Sequence, residues 1–502
     1  MQPDDPTKTH QESRPEDSAA EEPGASEVEL AESGAPPEMA GMAAGRLDEF
    51  AENPRRALWV LSVPIMFGMS VQALYSMVDM IFVGMVSAEA LTALAFNMPL
   101  MFLAMGATFG LGSGITAVIA QSVGARDKKR ADRTAEHTVI LGVVLTLVYT
   151  VVGLALGHQM LALLGVPTEI LPLAWSYFRV VAMGFCFMVM AVFFRSILSG
   201  EGEVKVPVMI QLGATLLNVV LDPIFIFGLD LGVQGAAIAT IVSQSLAAVA
   251  LAWVLFRREK TYVDFDFRGF AFSGEVLGDI FRIGLPASLS FMVMSLGGVA
   301  FNRLLVEYTP DAVAAHQVGM RIDHLVVMPL VAISSSLVTL VGMFYGARRF
   351  DLLRSTIRYA LSRSVMLATA ASIFFVVAAP ALVSVFTGSE EIRELGVRYL
   401  RTVAWAYPLF PFSMLAGRAL QGIGRGTPEL VLSLLRVLLI AVPLATMFTF
   451  VLEMPVHYIW IAMVLGSWAS AGVASQWLRV GLNQAERRGM TEGSLQESPV
   501  GS

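Results

Sequence analysis

The sequence predicts an all-α polytopic membrane protein of twelve transmembrane helices, arranged as two six-helix lobes related by a parallel internal repeat. Three observations lead there. The chain is 55% hydrophobic and only 15% charged over 502 residues, with 27 Met and 30 Phe, a surplus that no water-soluble domain of this size needs. From about Val60, apolar runs of roughly 20 residues recur between short polar breaks, each long enough to cross a hydrocarbon core of about 30 Å. Motifs of the first half also return in the second at a constant offset of 222 residues.

Residues 1–53 hold fourteen acids against Lys8, Arg14 and Arg46, a charge of −11; since the total is −7, the body carries +4. This acidic head is expected to be a disordered tail. It lacks the apolar run of a secretory signal, so the first span is expected to act as the membrane address. Apolar runs then cover about 60–83, 91–120, 135–156, 172–196, 206–228 and 235–256, which form a first lobe over 54–256. A hydrophilic cytoplasmic connector, 257–282, contains Asp264, Asp266, Arg268, Ser273, Glu275 and Asp279. The second lobe, 283–480, has runs at about 283–306, 313–343, 364–386, 398–417, 428–451 and 457–478, and a tail fills 481–502.

The repeat pairs Leu61-Ser-Val-Pro64 with Ile283-Gly-Leu-Pro286, and Gly124-Ala125-Arg126 with Gly346-Ala347-Arg348. Tyr177 and Arg179 match Tyr399 and Arg401, and Gly200 and Gly202 match Gly422 and Gly424. Six spans separate the copies, so both lobes keep one orientation about an axis along the membrane normal. Basic side chains crowd alternate loops: Arg55 and Arg56, Arg126 to Arg133, Lys205, Arg257 to Arg268 with Arg258 and Lys260, Arg348 to Arg358, Arg425, and Arg479 to Arg488. The opposite loops hold only Arg393. That asymmetry places both termini in the cytoplasm of a multi-pass cell-membrane protein.

No Gly-x-x-x-x-Gly-Lys-[Ser/Thr] loop, His-Glu-x-x-His pair or Cys-x-x-Cys pair is present, so an enzyme is not expected and no cofactor or nucleic-acid partner is implied. Work would have to come from an ion gradient. Cys186, the single cysteine, excludes an internal disulfide and reads as a small buried hydrophobe.

The candidate site begins with two acids inside apolar runs. An Asp near the bilayer centre costs about 2.5–3.5 kcal/mol on insertion scales, so Asp79 and Asp222 each need a wet interior or a partner. Asn218 and Asp222, four residues apart, share a helix face, and Pro223 removes a backbone donor and favours a kink. Thr240 in the sixth run adds a hydroxyl. Together Asp79, Asn218, Asp222 and Thr240 make a hard-oxygen set suited to Na⁺ or a proton, because acids brought close repel when both are ionised. The repeat-equivalent positions are Phe301, Ile440 and Leu444, so ion coupling would belong to the first lobe alone. A structural reading stands beside this one, in which the acids only tie helices together. Gln72 and Tyr75 either line the substrate path or serve as such ties. In the second half, His316-Gln317-Val-Gly-Met-Arg321-Ile-Asp323-His324 reads as a salt-bridged helix end or as a gate sensing protons through His316, and His316 and Arg321 join Gln72 and Tyr75 as candidate substrate-cavity residues. Arg179 and Arg401 are expected to snorkel or pair.

These residues resemble the multidrug and toxic compound extrusion (MATE) family. The likeness is carried by Pro64 with Gln72-Ala-Leu-Tyr-Ser-Met-Val-Asp79-Met-Ile-Phe-Val-Gly84, by Gln121-Ser-Val-Gly-Ala125, by Asn218 to Phe227 and by His316 to Asp323, over about residues 55–480. The resemblance implies an antiporter that expels organic, often cationic, compounds in exchange for H⁺ or Na⁺, working as a monomer in the bilayer. Asp79, Asn218, Asp222 and Thr240 look like the first-lobe cation site of the DinF-like prokaryotic branch. The NorM branch carries a Glu in the seventh span, whereas residues 286–300 and the tenth span here hold no acid, which argues against a second-lobe cation site. The alternatives are a lipid-linked oligosaccharide or polysaccharide flippase, which the resemblance implies would carry several cationic groups in its cavity, and a receptor or structural membrane protein without transport.

Overall fold

The computed structural model describes residues 37–257 and 261–496, and every regular element among them is helical. The parts of the predicted tails at 1–36 and 497–502, with Arg258 and Lys260, lie outside the described residues. Among the described residues, eleven helices are long and apolar enough to cross a membrane. The tenth crossing is composite: Glu390–Val403, a tight 3-10 segment Ala404–Leu409, then Phe410–Gly422. Pro408 and Pro411 each remove a backbone donor there, so the α ladder cannot run through. The first span is Pro54–Val86, the second Ala88–Gly124, the third Lys128–Leu163 and the fourth Leu171–Gly200. The fifth is Lys205–Pro223 with a π turn over Ile224–Gly228, and the sixth is Gly232–Phe256. The seventh to ninth are Gly274–Val306, Pro310–Gly346 and Phe350–Ser384. The eleventh runs from Thr427 to Val451 with two π turns, and the twelfth is His457–Gln496.

Three boundaries differ from the sequence expectation. The acidic head is helical over Pro37–Glu52. Leu47, Phe50 and Ala51 turn inward to 4%, 4% and 9% exposure, while Asp48, Glu49 and Glu52 stay outside, so a short apolar stripe docks a segment whose average composition is acidic. Arg46 adds an ion pair to Glu203 at 2.6 Å. The connector is shorter, because Ser273 caps a helix that begins at Gly274 by accepting the Val276 N–H at 3.4 Å. The predicted C-terminal tail is helical as far as Gln496.

The repeat is visible in backbone geometry. Arg126 and Arg348 both adopt φ +56°, and Gly202 and Gly424 adopt +79° and +87°, so equivalent turns close equivalent spans. At this basic end one core combines both halves, from Leu58, Ile119 and Ile197 to Leu340, Phe344 and Leu420. A Cβ on Gly124 would lie 2.0 Å from the Met343 carbonyl oxygen, and one on Gly346 would lie 2.0 Å from that of Gln121. Gly110 and Gly114 meet Ser288 and Ile280 of the seventh span equally closely, at 2.2 and 2.5 Å. Hydrogen bonds from Gln121 Nε2 to the Gly422 carbonyl, 2.7 Å, and from Thr339 to the Ser199 carbonyl, 2.9 Å, complete the seam. Toward the opposite end the cores part. Tyr399, Tyr407 and Trp460 belong to a cluster built wholly from the second half, and Phe178, Phe185 and Ile226 to clusters of the first. The molecule is therefore joined at its basic end and divided at the other.

The connector is held by carboxylates that accept its amides: Val263 N–H to Glu201 at 3.0 Å, Asp264 N–H to Asp132 at 2.7 Å and Asp266 N–H to Glu136 at 3.0 Å. Glu201, in the turn before the fifth span, is 1% exposed, and burial pushes its carboxyl up to about 7 despite the amide donors. A carboxyl raised from 4.5 favours folding fully below that pH and loses its contribution as pH rises through about 7. Glu201→Gln, which keeps an acceptor for Val263, is expected to flatten the melting-temperature profile across this window; a profile as steep as that of the unsubstituted protein would refute the assignment. Gly124→Ala or Gly346→Ala would force a methyl into a carbonyl, and overpacking costs about 1–3 kcal/mol. Each substitution is expected to shift the population away from the joined state by about 5- to 150-fold, read as altered spin-label distances across the divided end. Distances that do not change would show that the seam tolerates the extra carbon.

Candidate functional site

The divided half of the first lobe holds the acids. Pro223 does not simply kink the fifth span. The helix continues as a π turn, in which the Leu229 N–H donates to the Ile224 carbonyl at 2.9 Å, five residues back. Gly235 of the sixth span lets that turn come close, since a Cβ there would lie 2.6 Å from the Phe225 carbonyl. The first, fifth and sixth spans converge around it.

Asn218 is the hub. Its Oδ1 accepts a short hydrogen bond from the Tyr75 hydroxyl, and its Nδ2 donates to Asp222 Oδ1 at 2.8 Å. One turn away, the Thr215 hydroxyl donates to Gln72 Oε1 at 3.3 Å. Asn218 and Asp222 are buried at 4% and 0% exposure, and Asp79 is half-buried. Asp79 lies near enough for its charge to act on Asp222, and both charges act on Tyr75 and Tyr177. Thr240 donates its hydrogen to the Ala236 carbonyl at 3.0 Å and lies beside Tyr75. The structure thus gathers Asp79, Asn218 and Asp222, and brings Thr240 in behind Tyr75. Gln72 and Tyr75 serve here as hydrogen-bonding partners of the fifth span.

Asp79 Oδ1 and Asp222 Oδ2 are buried without a hydrogen-bond partner. Among the described residues neither acid has an ion-pair partner, and no group of three or more His, Cys, Asp or Glu side chains could hold a metal. A buried acceptor left unmade costs about 1–3 kcal/mol, more when charged. Each acid therefore keeps one buried oxygen with lone pairs that no described protein group meets.

The other predicted residues lie elsewhere. His316 and Arg321 are in the second lobe, within the body of Pro310–Gly346. The salt-bridged helix end is not found. Arg321 is exposed, while Asp323 accepts from the Tyr399 hydroxyl at 2.6 Å and from Tyr407. Residues two apart on a helix face different ways, so Arg321 cannot reach Asp323. His316, 2% exposed, packs edge-on against Tyr399 with centroids 5.2 Å apart. Tyr177 was missed by sequence reasoning, although its match to Tyr399 was the available signal. Arg195 and Arg436 were also missed. They are charges inside apolar spans, concealed by their neighbours.

A family model described as MatE matches residues 64–224 and again 286–447, two copies set 222 residues apart like the sequence repeat. The chain belongs to the MATE family. Among similar proteins, the "Probable multidrug resistance protein YoeA" of Bacillus subtilis is 26% identical over 414 residues, covering 81% of this chain and 89% of that protein. The "Multidrug export protein MepA" of Staphylococcus aureus is 26% identical over 387 residues, covering 76% and 84%. A solved structure titled "Outward-facing conformation of a multidrug resistance MATE family transporter of the MOP superfamily" has 33% identity and a TM-score of 0.82, covering 86% of this chain and 96% of that one. A MOP superfamily transporter from Pyrococcus furiosus, titled for the "reverse polarity" of its binding pocket, has 33% identity and a TM-score of 0.83, covering 86% and 97%. This MATE chain is a multi-pass membrane transporter.

Asn218→Leu in this MATE chain strands both Tyr75 and Asp222 and is expected to cost about 1–3 kcal/mol, against about 0.5–1.5 for Tyr75→Phe. The double variant should lose less than the sum, since the two share a network. Unfolding measured in detergent checks this, and strictly additive losses would break the hub.

Proposed function

We propose that this MATE protein is a secondary active efflux transporter that exchanges organic, often cationic, drugs and toxic compounds for H⁺ or Na⁺ by alternating access, with Asp79 and Asp222 as the coupling acids. Drug efflux follows from the family and from relatives named for multidrug resistance and export. The coupling assignment is supported above all by one observation: carboxylates of two separate spans lie close enough for one charge to act on the other, each with a buried oxygen that no protein group satisfies. A proton or Na⁺ is what such a pair lacks.

The basic end is read as cytoplasmic, which puts both termini inside and turns the division between the lobes outward. Each chain carries both lobes and works as a monomer. The ion must bind one state better than the other, or it shifts nothing. The π turn after Pro223 supplies a means. A segment already off α geometry, next to a residue without an N–H, can rebond as Asp222 gains or loses its positive partner.

Asp222→Asn and Asp79→Asn are each expected to cut gradient-driven drug flux by about tenfold or more in proteoliposomes, with helicity and melting behaviour retained. Imposed pH and Na⁺ gradients, applied separately, identify the ion. Flux at the unsubstituted rate in either variant would remove that acid from coupling.

A further inference from the structure

Two intramembrane arginines, Arg195 of the fourth span and Arg436 of the eleventh, take no part in the acid site. The Arg195 guanidinium sits over the Phe109 ring of the second span, 5.9 Å from its centroid, and no described acid pairs with it. Phe109 tilts against Phe291 of the seventh span with centroids 6.3 Å apart. One helical turn beyond Phe291, Met294 Sδ accepts from Arg436 Nη2 at 2.9 Å. The acid nearest Arg436 is Glu429, which is already engaged by Arg418 at 3.7 Å and by Gln421.

Arg195, Phe109, Phe291, Met294 and Arg436 therefore form a strip that runs from one lobe to the other. Just below it, toward the basic end, the backbones close where Gly110 meets Ser288. The strip lies where the second span of the first lobe packs on the seventh span of the second. Its apolar members are uncovered, Phe109 and Phe291 at 39% exposure and Met294 at 48%. A guanidinium stays charged at any physiological pH and carries five N–H donors, which one ring or one thioether leaves almost entirely unmet. Snorkelling would carry Arg195 toward the basic end, but its head lies over a ring in the middle of the second span.

We propose that this strip binds an amphipathic acid, a carboxylate, sulfonate or phosphate, whose acidic group is drawn by the Arg195 and Arg436 guanidiniums at the two ends and whose flat apolar part lies on Phe109, Phe291 and Met294. A planar fork of donors matches such oxyanions, and a ring face suits an aromatic or acyl body. The proposal rests on the opening being the transport route, and it assigns recognition of an acidic group to two residues of this chain.

The test is binding, not flux, so that it stands apart from the coupling assignment. A pyrene carboxylate and its neutral carboxamide are titrated against the full chain in phosphatidylcholine nanodiscs. The acid is expected to bind more tightly than the amide, and Arg195→Gln and Arg436→Gln are each expected to weaken the acid by about tenfold or more while leaving the amide within about twofold. Arg195→Lys and Arg436→Lys, which keep the charge, should recover part of the loss and serve if a glutamine variant fails to fold. Equal affinity for acid and amide, or an unchanged acid affinity in a folded double glutamine variant, would overturn the site. A second arm adds phosphatidylglycerol. Competition lost in the variants would make a lipid headgroup the occupant, and no competition would make it a soluble acid; both results require the arginine pair.

Discussion

The close approach of helix backbones at the basic end is the constraint on which the rest depends. Gly110, Gly114, Gly124, Gly342 and Gly346 bring the second span against the seventh and eighth with no side chain between. In a membrane there is little hydrophobic force between helices, so association relies on van der Waals contact and on such small-residue surfaces. The seam holds the two lobes by one end only. Everything nearer the other end is free to diverge, and the cores there do separate into first-half and second-half clusters. Because the seam is close to self-complementary under the repeat, Gly124 on Met343 and Gly346 on Gln121, a rocking motion would load both sides equally.

Against that symmetric frame the acids are asymmetric. Phe301, Ile440 and Leu444 occupy the positions equivalent to Asp79, Asn218 and Asp222, and they are apolar. The second lobe still has an acid of its own, Asp323, but both of its oxygens accept phenol hydrogens from the tenth span. In the first lobe one oxygen of each acid accepts nothing. The repeat-related tyrosines mark the contrast: Tyr399 donates to its acid, whereas Tyr177 only lies within the field of Asp79 and Asp222. A carboxylate with both oxygens met pins helices together, and one with an oxygen unmet keeps an unfilled demand for a positive partner.

Much of this was legible in the sequence because it depends on local patterns. Twelve apolar runs, a repeat offset and an i, i+4 Asn–Asp pair are all properties of short windows, and the structure contains each of them. What was not legible needed a side chain's direction. The Pro37–Glu52 helix docks through three apolar residues that an acidic average conceals. Arg195 and Arg436 vanish inside runs scored by hydropathy, although each is a charge that must find something. His316 to His324 looked like a helix end because it is polar, but its Arg and Asp are two residues apart and cannot meet. Tyr75 as donor to Asn218 also lay beyond reach, since that contact spans 143 residues of chain.

The distance between the two charged features constrains how coupling can work. If substrate and ion competed for the same carboxylates, displacement alone would link them, and an acidic substrate could not be exported. The arginine strip joins the fourth and second spans to the seventh and eleventh, while Asp79 and Asp222 lie within the first lobe near the π turn. A substrate on the strip touches both lobes, through Arg195 on one side and Arg436 on the other, so its affinity depends on how far apart the lobes are held. The ion acts on one lobe only, through the fifth span. Linkage between them must then run through the shape of that lobe and its seam with the other, and the sign of the substrate's charge need not match that of the ion.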